Sequence, residues 1–106
     1  MSGLLVEVLT FAGCPHAEPA LELAQRVVDQ SGVRATVRRV DIRDAEAAAA
    51  QRFLGSPTIR VNGRDIEPGV GKRGEYRLSC RIYRTDKGLR GEPDECWLRD
   101  ALRAAA

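Results

Sequence analysis

Strand-like and helix-like stretches alternate along the first half of this chain, and that alternation constrains the fold more than any other feature. The apolar run LLVEVL, Leu4 to Leu9, predicts a mostly buried strand. Apolar residues then recur at helical spacing from Ala20 to Val28, and the Ser31-Gly32 pair ends that helix. A second strand is predicted over 33–40, where small apolar residues alternate with arginines. Such a unit predicts two parallel strands joined by a right-handed crossover.

The next stretch predicts a second helix and a hairpin. Asp41 or Asp44 opens an alanine-rich helix that is expected to run to Gly55. Thr58 to Val61 then reads as a strand. The Asn-Gly pair that follows is typical of a two-residue type I′ turn, so the chain returns antiparallel over 64–67.

The rest of the chain predicts a loop, a further extended segment and a last helix. The loop is expected over 69–75, which is rich in glycine and charge. Alternation then predicts an extended segment around 76–84 with one inward face, made of Tyr76, Leu78, Cys80 and Ile82. Pro93 opens the last helix, whose apolar stripe includes Trp97.

The complete order is therefore βαβαββα, which predicts an α/β fold. We expect a mixed four-stranded sheet flanked by helices, with an extra extended segment around 76–84. The 106 residues suit a single domain spanning 1–106, because this length supports one modest core.

Composition narrows the partners and the compartment. The net charge of +2 is too small to argue for a nucleic-acid partner. No apolar run is long enough to cross a membrane, and the first residues lack the pattern of a signal peptide, so we expect a cytoplasmic protein with no membrane partner. Three cysteines are an odd number, which argues against a structural disulfide framework.

The stretch LTFAGCPHAEPA, Leu9 to Ala20, carries the clearest chemistry. Cys14 follows the first strand and precedes the first helix, where backbone N–H groups and the helix dipole favour a thiolate. His16 offers a positive charge or a hydrogen bond, although a solvated loop histidine fits the position equally well. Pro19 counts against activation, because a helix beginning there leaves Cys14 outside its N-cap. We predict a reactive thiol at Cys14, with a small buried cysteine as the alternative.

Several motifs connect the chain with known redox proteins. Cys14-Pro15-His16 resembles the Cys-Pro-His-Cys centre of strongly oxidising bacterial disulfide oxidoreductases, but Ala17 stands in place of the second cysteine. The element order, with Ser56-Pro57-Thr58 before the third strand, resembles the thioredoxin fold. The chain is more closely similar to a group of small bacterial thioredoxin family proteins, some of them labelled alkylmercury lyases, through Phe11 to Pro15, Gly55 to Pro68 and Leu78 to Tyr83.

This resemblance implies a site. The Ser56–Pro57 peptide bond is expected to be cis and to face Cys14. It also implies that the chain after the fourth strand starts beside Cys14, which makes Cys80 the best candidate to resolve an oxidised state. The alternative is that Cys80 packs inward. The residues expected to shape the substrate groove are Pro15, Ser56, Pro57 and Thr58.

Other residues near the predicted site have open roles. Arg81, in a basic segment from Lys72 to Arg90, is a candidate to hold a glutathione carboxylate or an acidic partner, with a solvated face as the alternative. Cys96 is expected to pack in the core, although a pair with Cys14 or Cys80 stays open. The acidic pair Asp65 and Glu67 is expected to be solvated.

The function that follows is a thiol-dependent redox protein acting through Cys14 and resolved by Cys80. Its partner is then a protein disulfide or a low-molecular-weight thiol. One alternative is a non-catalytic thioredoxin-fold binding module, and another is a protein that binds a soft metal ion or mercury through the same two thiols. We predict no zinc site and no cofactor, because the chain has no Cys-x-x-Cys and a single histidine.

Overall fold

The computed structural model describes residues 3–70 and 75–106, so most of the predicted loop over 69–75 lies outside the described residues, as do Lys72 and Arg73. The described strands are β1 (Leu4–Thr10), β2 (Ala35–Asp41), β3 (Thr58–Val61), β4 (Arg64–Asp65), β5 (Tyr83–Thr85) and β6 (Gly88–Arg90). The described helices are α1 (Ala17–Ser31), α2 (Ala45–Ala50) and α3 (Glu95–Ala105). Within these ranges no helix is both long enough and apolar enough to cross a membrane.

The first four strands form one mixed sheet in the order β2-β1-β3-β4. β1 pairs with β2 in parallel, from Leu4 opposite Ala35 to Thr10 opposite Asp41. β1 also pairs with β3, but antiparallel, with Leu9 opposite Thr58. The predicted α/β architecture, with a mixed four-stranded sheet and three helices, is therefore confirmed.

The β3–β4 hairpin has the turn that its sequence predicts. Asn62 and Gly63 have φ angles of 50° and 84°, and a type I′ turn needs positive φ at both central residues. The return strand is shorter than predicted and ends at Asp65. Ile66 still donates a 3.1 Å backbone hydrogen bond to Ile59, and the Asp65 carboxylate accepts one of 2.9 Å from the backbone N–H of Glu67, which forms a turn that ends the pairing there.

Helix α2 begins as predicted and ends early. The Asp44 side chain caps it by accepting a 2.8 Å hydrogen bond from the backbone N–H of Ala47. The helix was expected to reach Gly55, but it ends at Ala50. Arg52 then adopts a left-handed conformation with φ of 54°, and this turn carries Phe53 into the core. Burial of that aromatic ring outweighs the helical preference of the preceding alanines.

Two apolar clusters lie on opposite faces of the sheet. Successive residues of β1 point to opposite faces, so Val6 and Val8 belong to one cluster and Leu9 belongs to the other. The larger cluster packs α1 and α3 against the sheet, through residues such as Val27 and Leu98. The smaller cluster includes Phe53 and packs α2 on the other face. The sheet is thus flanked by helices on both faces.

The extended segment predicted around 76–84 is displaced and faces the other way. Its regular strand is β5, which forms a hairpin with β6 that the sequence did not predict. The residues expected to point inward are exposed, including Ile82 at 65% of its surface, whereas Arg81 and Tyr83 are buried at 2% and 0% exposure. The residues that point inward are therefore those one position away from the predicted ones. A shift of one residue along a strand exchanges its inward and outward faces.

Candidate functional site

Cys14 lies in a tight turn between β1 and α1. Its backbone N–H donates a 3.3 Å hydrogen bond to the carbonyl of Phe11, and its carbonyl accepts one of 3.3 Å from Ala17. Helix α1 begins at Ala17 with His16 as its N-cap, so Pro19 lies within the first turn, where proline is tolerated. Cys14 thus precedes the N-cap by two residues. Its thiol is free and half-buried.

His16 connects the start of α1 with the loop before α3. Its Nδ1 lies 2.5 Å from Oε2 of Glu92, and its ring also packs against the backbone of Gly91. The His16 side chain is 41% exposed. Within the described residues, no hydrogen bond joins His16 to the Cys14 thiol. The imidazole that we considered as a partner of Cys14 is therefore engaged by Glu92.

The peptide bond between Ser56 and Pro57 is cis, as predicted. Both residues are buried and come directly before β3. Because Thr58 at the start of β3 pairs with Leu9 near the end of β1, the Cys14 turn and the cis bond lie at the same end of the sheet.

Residues 79–81 run parallel to the chain beside the cis bond. The backbone N–H of Ser56 donates a 2.8 Å hydrogen bond to the carbonyl of Ser79, and the carbonyl of Ser56 accepts one of 2.9 Å from the N–H of Arg81. Cys80, between these two partners, forms an isolated parallel bridge with Ser56. The Cys80 side chain is exposed, so the alternative in which it packs inward is wrong.

This pairing also fills part of the expected substrate groove. Both main-chain hydrogen-bonding groups of Ser56 are used by residues 79–81, and an external peptide cannot pair with them at the same time. The fit is close at Gly55, where an added Cβ would lie 2.9 Å from the Cβ of Arg81. The Pro15 ring, by contrast, is exposed on the Cys14 turn.

The buried guanidinium of Arg81 connects β3, β4 and β5. Its Nη1 donates to Thr58 Oγ1 at 2.9 Å and to Asp65 Oδ2 at 2.7 Å. Its Nη2 donates to Glu67 Oε1 at 2.6 Å. The expectation that Asp65 and Glu67 are solvated is therefore wrong, because their side chains are 10% and 18% exposed and pair with Arg81. Arg81 itself is occupied by these internal carboxylates instead of an external one.

Tyr83 completes the cluster around Arg81. The Arg81 guanidinium carbon lies 4.5 Å from the centroid of the Tyr83 ring, a cation–π contact. The Tyr83 hydroxyl donates a 2.5 Å hydrogen bond to the carbonyl of Pro57. The side chain of Arg81 and that of Tyr83 thus hold the segment with Cys80 against the cis turn.

The environment shifts the pKa of both buried side chains. Burial acts to lower the pKa of Arg81, but the hydrogen bonds from Asp65 and Glu67 and the negative charge of Asp65 act in the opposite direction, and the pKa lies above its ordinary value. Burial raises the pKa of Tyr83, and the nearby Arg81 charge opposes that rise without cancelling it. Arg81 is therefore a permanent cation and Tyr83 a neutral hydrogen-bond donor at neutral pH.

Cys96 lies apart from the predicted core. It is exposed on the first turn of α3, where its backbone N–H donates a 2.8 Å hydrogen bond to the capping side chain of Asp94. The expectation that Cys96 packs in the core is therefore wrong. The physical reason is that Leu98 and Leu102 supply the buried face of α3. Among residues 3–70 and 75–106, no three His, Cys, Asp or Glu side chains are arranged to hold a metal ion.

The residues missed from the sequence are Asp65, Glu67 and Tyr83. Arg81 was singled out, but its partners were not. The sequence does carry a signal for this cluster. Arg81 and Tyr83 are two residues apart and therefore share one face of an extended segment, and Asp65 and Glu67 are two carboxylates with the same spacing. No model of a known protein family matches this sequence, and a search among curated proteins finds no match either.

Proposed function

We propose that this chain has a thioredoxin-like fold and exchanges thiols and disulfides through Cys14, with Cys80 as the resolving thiol. The observation that supports this best is the pairing of Ser56 with residues 79–81, which holds Cys80 beside the cis peptide bond. The register of Leu9 with Thr58 adds support, because it brings the Cys14 turn to that same end of the sheet.

The proposed reaction has two steps. The Cys14 thiolate first attacks one sulfur of a substrate disulfide; a Cys14–substrate bond forms, the substrate S–S bond breaks, and the departing thiolate takes a proton from water. The Cys80 thiolate then attacks the Cys14 sulfur, which forms a Cys14–Cys80 disulfide and releases the second substrate thiolate. The substrate gains two electrons and two protons, and the two protein thiols lose them.

The surrounding residues have distinct parts in this proposal. Pro57 and Thr58 form the buried floor, and Arg81 and Tyr83 act as positioning residues that hold the Cys80 backbone in place. Exposure of Cys80 favours a resolving thiol, because resolution requires the sulfur to approach Cys14 without unpacking a core side chain.

Oxidised glutathione provides the experimental test, with released glutathione measured by mass spectrometry. The wild-type protein should release both glutathione molecules of one disulfide for each Cys14–Cys80 disulfide formed. Cys80→Ser should release one and retain the other on Cys14, whereas Cys14→Ser should leave the reagent intact. Cys96→Ser is the matched control and should behave as wild type, because Cys96 is an exposed thiol outside the proposed site.

Two results would overturn the proposal. If Cys80→Ser releases both glutathione molecules at the wild-type rate, Cys80 is not the resolving thiol. If the wild-type protein and Cys14→Ser are equally unreactive, Cys14 is not a redox thiol, and a non-catalytic binding module becomes the better account.

A further inference from the structure

The chain from Cys80 to Arg84 alternates strictly between exposed and buried positions. The even-numbered residues of this segment are exposed, whereas the odd-numbered ones pack inward. Leu89 of β6 lies opposite Arg84 of β5, so its side chain shares the outward face. We name this face the outer strip and define it by four residues: Cys80, Ile82, Arg84 and Leu89.

The outer strip is apolar as well as exposed. Ile82 is 65% exposed and Leu89 is 68% exposed, and they exceed the other exposed large apolar side chains of the described residues. Single exposed apolar residues are ordinary on a protein surface. Here the two lie on one face of one hairpin, beside an exposed thiol.

The hairpin is also cationic. Arg84 on the outer strip and Lys87 at the turn are exposed, and neither forms an ion pair with a described residue. Arg90 lies opposite the buried Tyr83, so its side chain is on the other face of the hairpin. Asp86 at the turn is the one acidic residue within the span of β5 and β6. The carboxylates of Glu92, Asp94 and Glu95 line a pocket with Lys87 and Arg90, so the charge that the strip itself offers a partner is that of Arg84. An unpaired cation beside exposed apolar side chains favours an anionic partner.

We propose that the outer strip is a docking surface for an acidic, extended segment of a partner protein. This deepens the proposed function, on which it rests, because it names the class of disulfide substrate. The main-chain groups of Ser56 are occupied by residues 79–81, so a protein substrate must be recognised elsewhere. The outward face of that same segment presents a thiol, an apolar side chain and a cation in line.

The spacing of the strip defines the partner segment. Four residues separate Cys80 from Arg84, which is about 13 Å in an extended chain. A partner in the same extended conformation then carries its acidic residue about four positions from its cysteine, with an apolar residue between them. Arg84 supplies the charge contact, and Ile82 and Leu89 supply the apolar one.

The test uses a cysteine-free peptide, so that it reports docking and not exchange. The probe is a fluorescent extended peptide with serine at the cysteine position, leucine two residues on and two glutamates from the fourth residue on. Fluorescence anisotropy at low salt should show binding to the wild-type protein, weakened about fivefold by Arg84→Glu, because reversal replaces an attraction of surface charges by a repulsion. A peptide with lysines in place of the glutamates should bind as weakly.

Arg43→Glu is the matched control, since it makes the same change of net charge at an exposed arginine before α2. It should leave peptide binding within about twofold of wild type, because Arg43 is not one of the residues of the outer strip. Ile82→Ser should also weaken binding, and its exposure keeps the fold intact.

Three outcomes would overturn the docking proposal. Equal weakening by Arg84→Glu and Arg43→Glu would show that bulk charge is responsible. Equal binding of the acidic and lysine peptides would show that no charge is recognised. Binding to vesicles of anionic lipid without binding to the acidic peptide would identify a membrane surface instead. If the protein does not exchange thiols with glutathione, the proposed redox function is wrong, but the measured binding of the peptide still tests the docking surface separately.

Discussion

The Tyr83 hydroxyl donates a hydrogen bond of 2.5 Å to the carbonyl oxygen of Pro57. This contact joins a buried ring from β5 to the residue that follows the cis peptide bond. Arg81 lies over the same ring and reaches Asp65 and Glu67. The segment that carries Cys80 is therefore fixed by the two buried side chains that follow the thiol, those of Arg81 and Tyr83.

Arg81→Ala should destabilise the protein by about 3 kcal/mol, because it removes the cation that pairs with the poorly exposed Asp65 carboxylate. Chemical denaturation at neutral pH measures the change. Adding Asp65→Asn to Arg81→Ala should restore part of the lost stability, because the buried Asp65 charge that lost its cation is then gone. If Arg81→Ala changes the stability by less than about 0.5 kcal/mol, as expected of an ordinary surface residue, the buried cluster is wrongly described.

Tyr83 should make the folded state sensitive to alkali. Burial raises the pKa of Tyr83 in the folded protein, so folding favours the protonated phenol. That stabilisation is complete below the unfolded pKa of about 10 and is lost as the pH rises above it toward the folded value. The free energy of unfolding should therefore fall between about pH 10 and 11.5 more steeply in wild type than in Tyr83→Phe. Parallel slopes for the two proteins would contradict this.

Gly55→Ala should loosen the segment that carries Cys80. Gly55 has a φ of 128°, and a Cβ there would lie 2.9 Å from the Cβ of Arg81 and 3.1 Å from the carbonyl oxygen of Ser79. The displaced segment should expose Cys80 further and increase its rate of alkylation, together with a loss of about 2 kcal/mol in stability.

Gly13→Ala is the control for the backbone part of that effect. Gly13 also has a positive φ, of 87°, but an added Cβ would meet nothing within 4 Å. Gly13→Ala should lose stability because alanine is strained at a positive φ, but it should not change the alkylation rate of Cys80. Equal alkylation rates in the two variants would show that Gly55 does not position residues 79–81.

Thr10→Val should stabilise the protein by about 1 kcal/mol. The Thr10 hydroxyl is buried and has no hydrogen-bond partner among the described residues, so its removal relieves a desolvation cost. Thr58→Val is the contrasting variant, because the Thr58 hydroxyl donates to the carbonyl of Gly55 and accepts from Arg81. It should lose about 1–3 kcal/mol, and chemical denaturation of the two variants beside wild type measures both changes. A loss of stability in Thr10→Val would show that its hydroxyl has a partner.

Much of the fold follows from signals that lie within a few residues of one another. The β1–α1–β2 unit follows from periodicity, the cap of α2 from Asp44, and the β3–β4 turn from Asn62 and Gly63. These features depend on local backbone preferences, which a sequence displays directly. The resemblance predicted that Cys80 lies near Cys14, through the sheet topology that it implies. The structure places Cys80 beside Ser56, at the end of the sheet where the Cys14 turn lies, and the approach of the two thiols stays a prediction.

The orientation of residues 76–84 depends on partners distant in sequence. Hydropathy assigns Arg81 to the surface and Ile82 to the interior, and the structure reverses both. The reversal needs Asp65 and Glu67, which pair with a guanidinium fourteen to sixteen residues later in the chain. A buried arginine is favourable only with such partners, and a local pattern does not reveal them.

A peptide map under non-reducing conditions tests the central claim most directly. The reduced protein is oxidised mildly, remaining thiols are blocked, and the digested peptides are identified by mass. We predict a Cys14–Cys80 linked pair that a thiol reductant releases, with Cys96 blocked as a free thiol. A map in which Cys14 and Cys80 are both blocked, or in which either is linked to Cys96, would contradict the proposed pairing.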